Sequence, residues 1–531
     1  VVGLTRDDFE VTIDGLPVEI SHFSGAVSPH RSGERPLPEQ SEVVASAKSP
    51  LHLVLYIDST SVEQGRRNNV IGDIRQFLNR DLGPQDQVML VSADRSGFQL
   101  HQTLTSDRGS IESELDRIAK TAAQDRRASE FGEILHEIES FASASLGYGE
   151  SSTRARATSI LARIGAYSAE TGQTMLRITE NLRRIVDALA GVPGTKVILY
   201  VGGGISLNPG GGLVAALNNV LGMRGGGSSP RDRPPDTPVG GLGNTGTVLR
   251  ALAQHASVQG VRLCAIDPSG QLGTIAVRAS RGSIEAGAGA SATREDTWAP
   301  GLDFSQRIEL RSSLQLLASE TGGTALVTGG DYEGFLRRLT GGLDGTYSLG
   351  VRLSPAATGE IHRIEVSAKR KGLQVRHRRS FRRQDGDQEA AYRTLSALLV
   401  GVSENRLGVR LEAGEQELVR RGTYLVPVSI ELPLTELAVT AREDTHAGQL
   451  SIFVTSGDGE LTSGPVRKMV FPFALPNDQI LSAMGQMLQH WLELELPEGP
   501  TRIAVGVRDD LDPVLATATL ELVVGEAEVD P

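Results

Sequence analysis

One cysteine, Cys264, in 531 residues excludes an internal disulfide framework and every multi-cysteine zinc or iron–sulfur site. Lysine is also scarce: six of the 53 basic residues (48, 120, 196, 369, 371 and 468), a bias that points to genome composition rather than a binding strategy. No apolar run approaches the ~18 residues of a membrane-spanning helix. The 65 acidic residues outnumber the basic ones, and a net charge of -12 argues against nucleic acid as a partner of the whole chain. Among motifs of catalysis or modification, GxSxG, GxxxxGK[ST] and N-x-[ST] are all missing, and His136-Glu137 has no second histidine four residues on. What is present is the composition of a folded protein, 39% hydrophobic and 22% charged with mean hydropathy -0.15. The length suggests roughly three domains of about 150 residues.

The pattern along the chain changes several times. Phe9, Val11 and Ile13 alternate with polar neighbours, Asp14-Gly15 supplies a turn, and Val18-Glu19-Ile20 resumes the alternation, so the first residues read as strands. Residues 25–49 turn polar and Pro-rich, as in a loop or linker. Leu51 to Asp58 is then a continuous apolar run ending in aspartate, as in a strand buried on both faces. Val70, Ile71, Ile74, Phe77 and Leu78 recur at helical spacing before Gly83-Pro84. Further strands are expected at 88–91, 98–104, 196–201, 261–267 and 324–328, and helices near 111–118, 175–190, 246–258, 312–321 and 332–343. This alternation implies a doubly wound, mostly parallel sheet.

From 345 the period returns to two, and neither this segment nor the N-terminal one is large enough to fold alone. The expected organisation follows. A first β-sandwich is split between 1–48 and 344–384, and an α/β domain over 49–343 is inserted in it. A connecting helix covers 385–403 and a second antiparallel β-sandwich 404–531. Three insertions are expected in the α/β domain: 121–172, helical; and 208–243 and 269–305, rich in Gly and expected to be mobile loops.

Gly241-Leu242-Gly243-Asn244-Thr245-Gly246 matches GxGxxG and opens a helix, with Asp267 about twenty residues on. The Pro-rich segment before it cannot be a central strand, so a Gly-rich loop is expected and no dinucleotide. Cys264 lies mid-strand and reads as an inert buried thiol. Lys369, Arg370, Lys371, Arg376, Arg378 and Arg379 form a basic segment. It would be either one cationic face toward an acidic partner, glycan or lipid headgroup, or a solvated sheet face of mixed charge. Asp509-Asp510-Leu511-Asp512 reads as a polar turn, with a calcium site as the alternative.

Ligands of open α/β sheets sit at the carboxyl ends of the strands. That edge carries Asp58-Ser59-Thr60-Ser61-Val62, which resembles the D-x-S-x-S metal-ion-dependent adhesion motif of von Willebrand factor A-type domains. Gly3 to Val11, Ser106-Asp107-Arg108, Ala265-Ile266-Asp267, Ala318 to Gly323 and Tyr347 to Gly350 follow, in order, the bacterial von Willebrand factor A-related proteins abundant in Acidobacteria. The resemblance runs from Phe9 to about Arg383, and Ile503 to Asp509 looks like the tail of longer members. It implies a metal set of Asp58, Thr60 and Thr105, the last at the family's second-loop threonine. Two positions depart from the family: Val62 replaces a serine, and Gly202-Gly203-Gly204 stands where the third-loop aspartate belongs. One remaining carboxylate makes this a degenerate metal site, with no cofactor expected and Mg²⁺ or Ca²⁺ only as the alternative.

The function expected is non-enzymatic: an extracytoplasmic protein–protein interaction module, acting in adhesion or as a subunit of a larger surface or envelope assembly. Its contact rim is expected at Asp58, Ser61, Thr105 and Gly202 to Gly204. The resemblance, with a first residue that is valine, implies a secreted, periplasmic or cell-surface location after removal of a signal peptide. Two alternatives remain: an adhesin binding an acidic ligand through an ion at Asp58, and a hydrolase whose site is not visible in the sequence.

Overall fold

A computed structural model describes residues 3–25, 50–94, 97–144, 150–224, 245–269, 299–327, 330–344, 347–352, 359–373, 375–458, 461–483, 485–512 and 514–525. The linker expected over 25–49 and the glycines of the GxGxxG match lie almost wholly outside these residues.

Three short strands come first, β1 (Phe9–Ile13), β2 (Leu16–Val18) and β3 (Ile20–Ser24). Asp14 and Gly15 take φ of 51° and 80°, which closes β1 onto β2 as a two-residue hairpin. The α/β unit follows: β4 (Leu51–Asp58), α1 (Gln64–Arg80), β5 (Gln87–Asp94), β6 (Gly97–Thr105), α2 (Arg108–Lys120), α3 (Arg126–Ala144) and α4 (Glu150–Ala190). It continues with β7 (Thr195–Val201), α5 (Gly211–Arg224), α6 (Thr245–Val258), β8 (Val261–Ile266), α7 (Ala299–Thr321), β9 (Ala325–Leu326) and α8 (Tyr332–Asp344). The strands stand in the order β6-β5-β4-β7-β8-β9, all parallel except the antiparallel edge strand β6. β4 is central, and all eight of its residues are buried. Leu53, Leu55 and Ile57 pack on one face with α1, α2 and α8; Val54 and Tyr56 pack on the other with α4, α6 and α7.

The chain then returns to its beginning. β10 (Ser348–Val351) pairs with β3, and β11 (Ile361–Ala368) lies antiparallel to β1 with Val11 opposite Val366. β12 (Ser380–Arg382) completes the sheet β12-β11-β1-β2. Next, α9 (Gly386–Val400) adds Ala397 to Val400 to the core of the α/β unit and touches the C-terminal strands. Those strands are β13 (Arg410–Ala413), β14 (Glu417–Arg420), β15 (Thr423–Pro433), β16 (Thr440–Ala441), β17 (Thr445–Gly457), β18 (Arg467–Pro476), β19 (Met487–Pro497), β20 (Gly499–Asp509) and β21 (Leu515–Val524). They form two antiparallel sheets that share one apolar core, with Val426, Val428 and Ile430 of β15 among Ile452, Val454, Val505 and Val507.

Three expectations need correction. The insertion 121–172 does not stop before a separate helix at 175–190. Ala157, Ile160, Ile164 and Tyr167 continue into Thr171, Met175, Ile178, Leu182 and Leu189 on one helical stripe, so α4 runs 41 residues, about 60 Å. The segment 208–243 is not all loop, because Leu213, Ala216, Leu217 and Val220 bury one side of α5 against α3 and α4. The strand expected at 324–328 is reduced to the two residues of β9.

Candidate functional site

Asp58 ends the central strand, and its side chain is fully buried. Its carboxylate accepts four hydrogen bonds. The backbone N–H and hydroxyl of Thr60 reach Oδ1 at 3.0 and 2.6 Å, and the hydroxyls of Ser61 and Tyr200 each reach Oδ2 at 2.7 Å. Burial and the Asp58 charge push the Tyr200 phenol well above its ordinary pKa, so the tyrosine stays a donor. Ser61 Oγ also accepts from the Gly203 N–H at 3.0 Å, which ties the first loop to the one after β7.

The glycine triplet is there because neighbouring atoms pass too closely for a side chain. A Cβ on Gly202 would lie 2.6 Å from the Tyr200 hydroxyl, on Gly203 2.5 Å from the Ser61 carbonyl, and on Gly204 2.5 Å from that of Leu310. Gly204 also takes φ of +94°, a backbone shape that side chains rarely adopt.

Two groups of predicted site residues are not where the sequence suggests. Thr105 pairs with Val88 at the start of β5, whereas Asp58 lies opposite Ala93 at its end. Five strand residues separate them along the sheet, about 16 Å. The antiparallel direction of β6 carries Thr105 to the opposite edge, where its hydroxyl accepts from Asp107 N–H at 3.1 Å. The rim proposed at Asp58, Ser61 and Gly202 to Gly204 is also largely covered: Asp58, Ser61, Gly202 and Gly204 are buried. Thr121, after α2, is tied to the Asp58 loop through Arg67, whose Nη1 donates to its hydroxyl at 3.4 Å. Arg67 is itself fully buried and donates to Ser59 Oγ at 2.8 Å and to the Thr121 carbonyl at 2.8 Å.

The open space at this edge is a cleft of about 330 Å³ between the Asp58 loop, the start of α3, α4 and α7. Its charged lining is Glu63, Arg66, Asp125, Arg127, Asp267, Arg307 and Arg311. Asp267 and Arg311 form a buried ion pair at 3.1 Å. Both Nη atoms of Arg127 lie 3.3 Å from the Gly204 carbonyl, and Arg66 donates to the Ser269 carbonyl. Asp125 caps α3 through the Ala128 N–H at 3.0 Å. Burial raises its pKa, Arg127 and that hydrogen bond oppose the shift, and the charges of Asp58 and Glu63 add to it. None of these arginines carries a local sequence motif; only the packing of α1, α3 and α7 brings them over the strand ends.

The basic segment does not form one face on adjacent strands. Lys369 to Leu373 end in a turn and 375–379 are irregular, because β12 begins only at Ser380. Arg370 bonds Asp8 at 2.7 Å, Arg379 meets Glu320 at 3.6 Å, and the Arg378 guanidinium sits 5.6 Å over the Phe381 ring. Asp509 and Asp510 are also engaged: Asp509 accepts from Ala438 N–H at 2.7 Å, and Asp510 pairs with Arg508 at 2.8 Å. Among the described residues no group of three or more His, Cys, Asp or Glu is placed to hold a metal ion. Cys264 is buried, and burial raises its pKa.

A polar chain that the sequence did not announce joins β5, β6 and α2. Ser92 Oγ lies 2.7 Å from His101 Nε2, and His101 Nδ1 lies 3.4 Å from Glu114.

No protein-family model matches the chain, and no curated protein does either. Among solved structures it is similar to the SpRpn10 VWA domain, with 9% identity over 54% of this chain and 94% of that one, at a TM-score of 0.21. It is also similar to the human COPII-coat protein Sec24c, with 9% identity over 90% of this chain and 44% of that one, at a TM-score of 0.23. Superpositions this loose fix no residue correspondence.

Proposed function

We propose that the chain is a non-enzymatic protein-interaction module of von Willebrand factor A type, acting outside the cytoplasm in adhesion or as a subunit of a larger surface assembly. The observation that carries this reading is the carboxyl edge of the sheet. There a cleft of fixed side chains stands over an Asp58 whose carboxylate is already satisfied by four donors of its own chain. A divalent ion of this type wants several charged or neutral oxygens with free lone pairs. Asp58 is the single carboxylate of the motif Asp58 to Val62, Thr60 and Ser61 turn their hydroxyl hydrogens toward it, and Thr105 is at the other edge. These residues do not fit a metal ion, and the interaction is read as metal-free. The experiment is the native mass of the protein purified gently from its source. A particle well above 56.5 kDa is expected; one at 56.5 kDa would refute the assembly reading.

Among the described residues the hydrolase alternative has a geometric candidate, the order Ser92–His101–Glu114, which matches nucleophile, base and orienting carboxylate. Ser92 is a buried mid-strand residue and does not border the cleft, so the chain is read as a brace for the edge strand. A fluorophosphonate probe should leave Ser92 unlabelled; labelling abolished by His101→Ala would revive the enzyme reading.

A further inference from the structure

We propose that β19 is a self-association edge: it pairs antiparallel with β19 of a second copy of this chain across a twofold axis, joining their two sheets into one. The proposal goes beyond the reading above, which rests on the α/β unit. It starts from where the main-chain groups of β19 point. In an antiparallel ladder the N–H and C=O of one residue point to the same side, and the side alternates along the strand. At both ends of the β15–β19 ladder the even-numbered residues carry the bonds. Leu434 N–H donates to the Gln486 carbonyl at 3.2 Å, and Glu498 N–H donates to that of Gly422 at 3.2 Å. Between them, Pro427 stands opposite Glu493 but turns its carbonyl the other way, to accept from Gly414 N–H at 2.7 Å. The main-chain groups of Met487, Gln489, Trp491, Glu493 and Glu495 therefore point off the sheet, and among the described residues no strand pairs there.

An edge strand of 11 residues, about 36 Å, is a template for another strand, and folded chains guard such edges. The other edges of these two sheets are guarded. β13 and β14 are only four residues each, and β18 carries Arg467, Lys468 and a mid-strand Pro472. On β21 the Thr517 N–H bonds the Glu404 carbonyl, and the Val523 carbonyl accepts from the Gln416 side chain. β19 has no lysine, no arginine and no proline before its last residue, and its Trp491 is 53% exposed. Its two acids, Glu493 and Glu495, both lie in its second half, and they select the partner. Parallel in-register pairing would set each glutamate beside its own copy. Antiparallel pairing about Leu492 overlaps the whole strand. It sets Trp491 opposite Glu493, Gln489 opposite Glu495 and Met487 opposite Pro497 of the second copy, so no acid faces an acid. On the inner face Leu492 meets its own copy and Leu488 meets Leu496 of the second copy. A second copy fits because its acidic half always meets a neutral half. The Glu495 charge is also partly met within its own chain by Arg420, at 3.6 Å.

The test is sedimentation velocity of the recombinant full chain up to about 100 µM. A dimer of twice 56.5 kDa is expected. Glu493→Pro removes an outward N–H and spares the bonds to β15, so it should weaken association at least about tenfold with an unchanged unfolding midpoint. Should proline disturb the strand, Trp491→Glu, on an exposed side chain, sets an acid opposite Glu493 of the second copy and must weaken association as well. Trp491→Lys meets that glutamate with a cation and should associate at least about tenfold more tightly than Trp491→Glu. A chain that stays at 56.5 kDa, a dimer indifferent to these substitutions, or equal association of the two Trp491 variants would each overturn the proposal. So would a monomer whose Trp491 emission shifts on adding a synthetic β-strand peptide, because the edge would then belong to a foreign segment. A recombinant monomer beside a native particle well above 56.5 kDa would sink this inference and leave the interaction reading standing.

Discussion

Tyr200→Phe should destabilise the α/β unit, and the cost should depend on Asp58. The substitution keeps the buried ring between Tyr56 and the Asp58 loop and removes one hydrogen bond, 2.7 Å long, to a fully buried carboxylate. Bonds of this kind contribute about 1.5–3 kcal/mol. Asp58→Ala should cost more, about 3–5 kcal/mol, because it leaves the donors of Thr60, Ser61 and Tyr200 without their acceptor. In that background the Tyr200 hydroxyl is an orphan in a buried site, so removing it should be neutral or mildly stabilising. The coupling between the two positions is therefore predicted at about 2 kcal/mol. Urea unfolding read by far-ultraviolet ellipticity is the suitable assay, because α1 to α8 all lie in the α/β unit. With the chain's other tryptophan replaced in a Trp298→Phe background, Trp491 on β19 reports the C-terminal sheets separately, and that transition should not move. Equal costs for Tyr200→Phe with and without Asp58 would refute the hydrogen-bonded hub.

Other predictions follow from the same geometry. Gly204→Ala places a Cβ 2.5 Å from the Leu310 carbonyl at a φ of +94°, and should lower the stability of the α/β unit by more than about 2 kcal/mol in the urea assay. Asp267→Ala removes the buried carboxylate paired with Arg311 and should cost about 3–5 kcal/mol; a loss below 1 kcal/mol would contradict the burial of that pair. Lys196 is held down to about 8, first by burial and then by the charge of Arg378. The unfolded lysine keeps its proton to about 10.4, so stability should rise as pH climbs from about 8 toward 10. Lys196→Met should abolish that rise and stabilise the protein at neutral pH by up to about 3 kcal/mol, as measured by unfolding at both pH values.

The central strand was legible because Leu51 to Ile57 has no polar interruption except His52, and a strand buried on both faces needs such a run. The edge strand β6 was legible as a strand but not in its direction, and direction decides where Thr105 goes. The stripe of α4 was present in the sequence, at steps of three and four from Ala157 to Leu189. Alanine, serine and arginine between its apolar members hid it. The glycine triplet looked like a loop open to a partner, whereas Gly202 lies against the Tyr200 side chain and Gly203 and Gly204 against backbone carbonyls. Tyr200 gave no signal of its own, because a tyrosine in an apolar strand is ordinary until the fold sets it beside the end of β4. The arginines of the cleft come from three separate helices, α1, α3 and α7, and only tertiary packing gathers them.

The central claim is that the Asp58 edge works as a closed hydrogen-bonded hub beneath a cationic cleft, with no metal. A calorimetric titration of the full chain with Mg²⁺, Ca²⁺ and Mn²⁺, alongside Asp58→Asn, tests it most directly. The account predicts no saturable heat with any of the three ions and no ion-dependent rise in melting temperature. A saturable site in the wild-type chain that disappears in Asp58→Asn would contradict it.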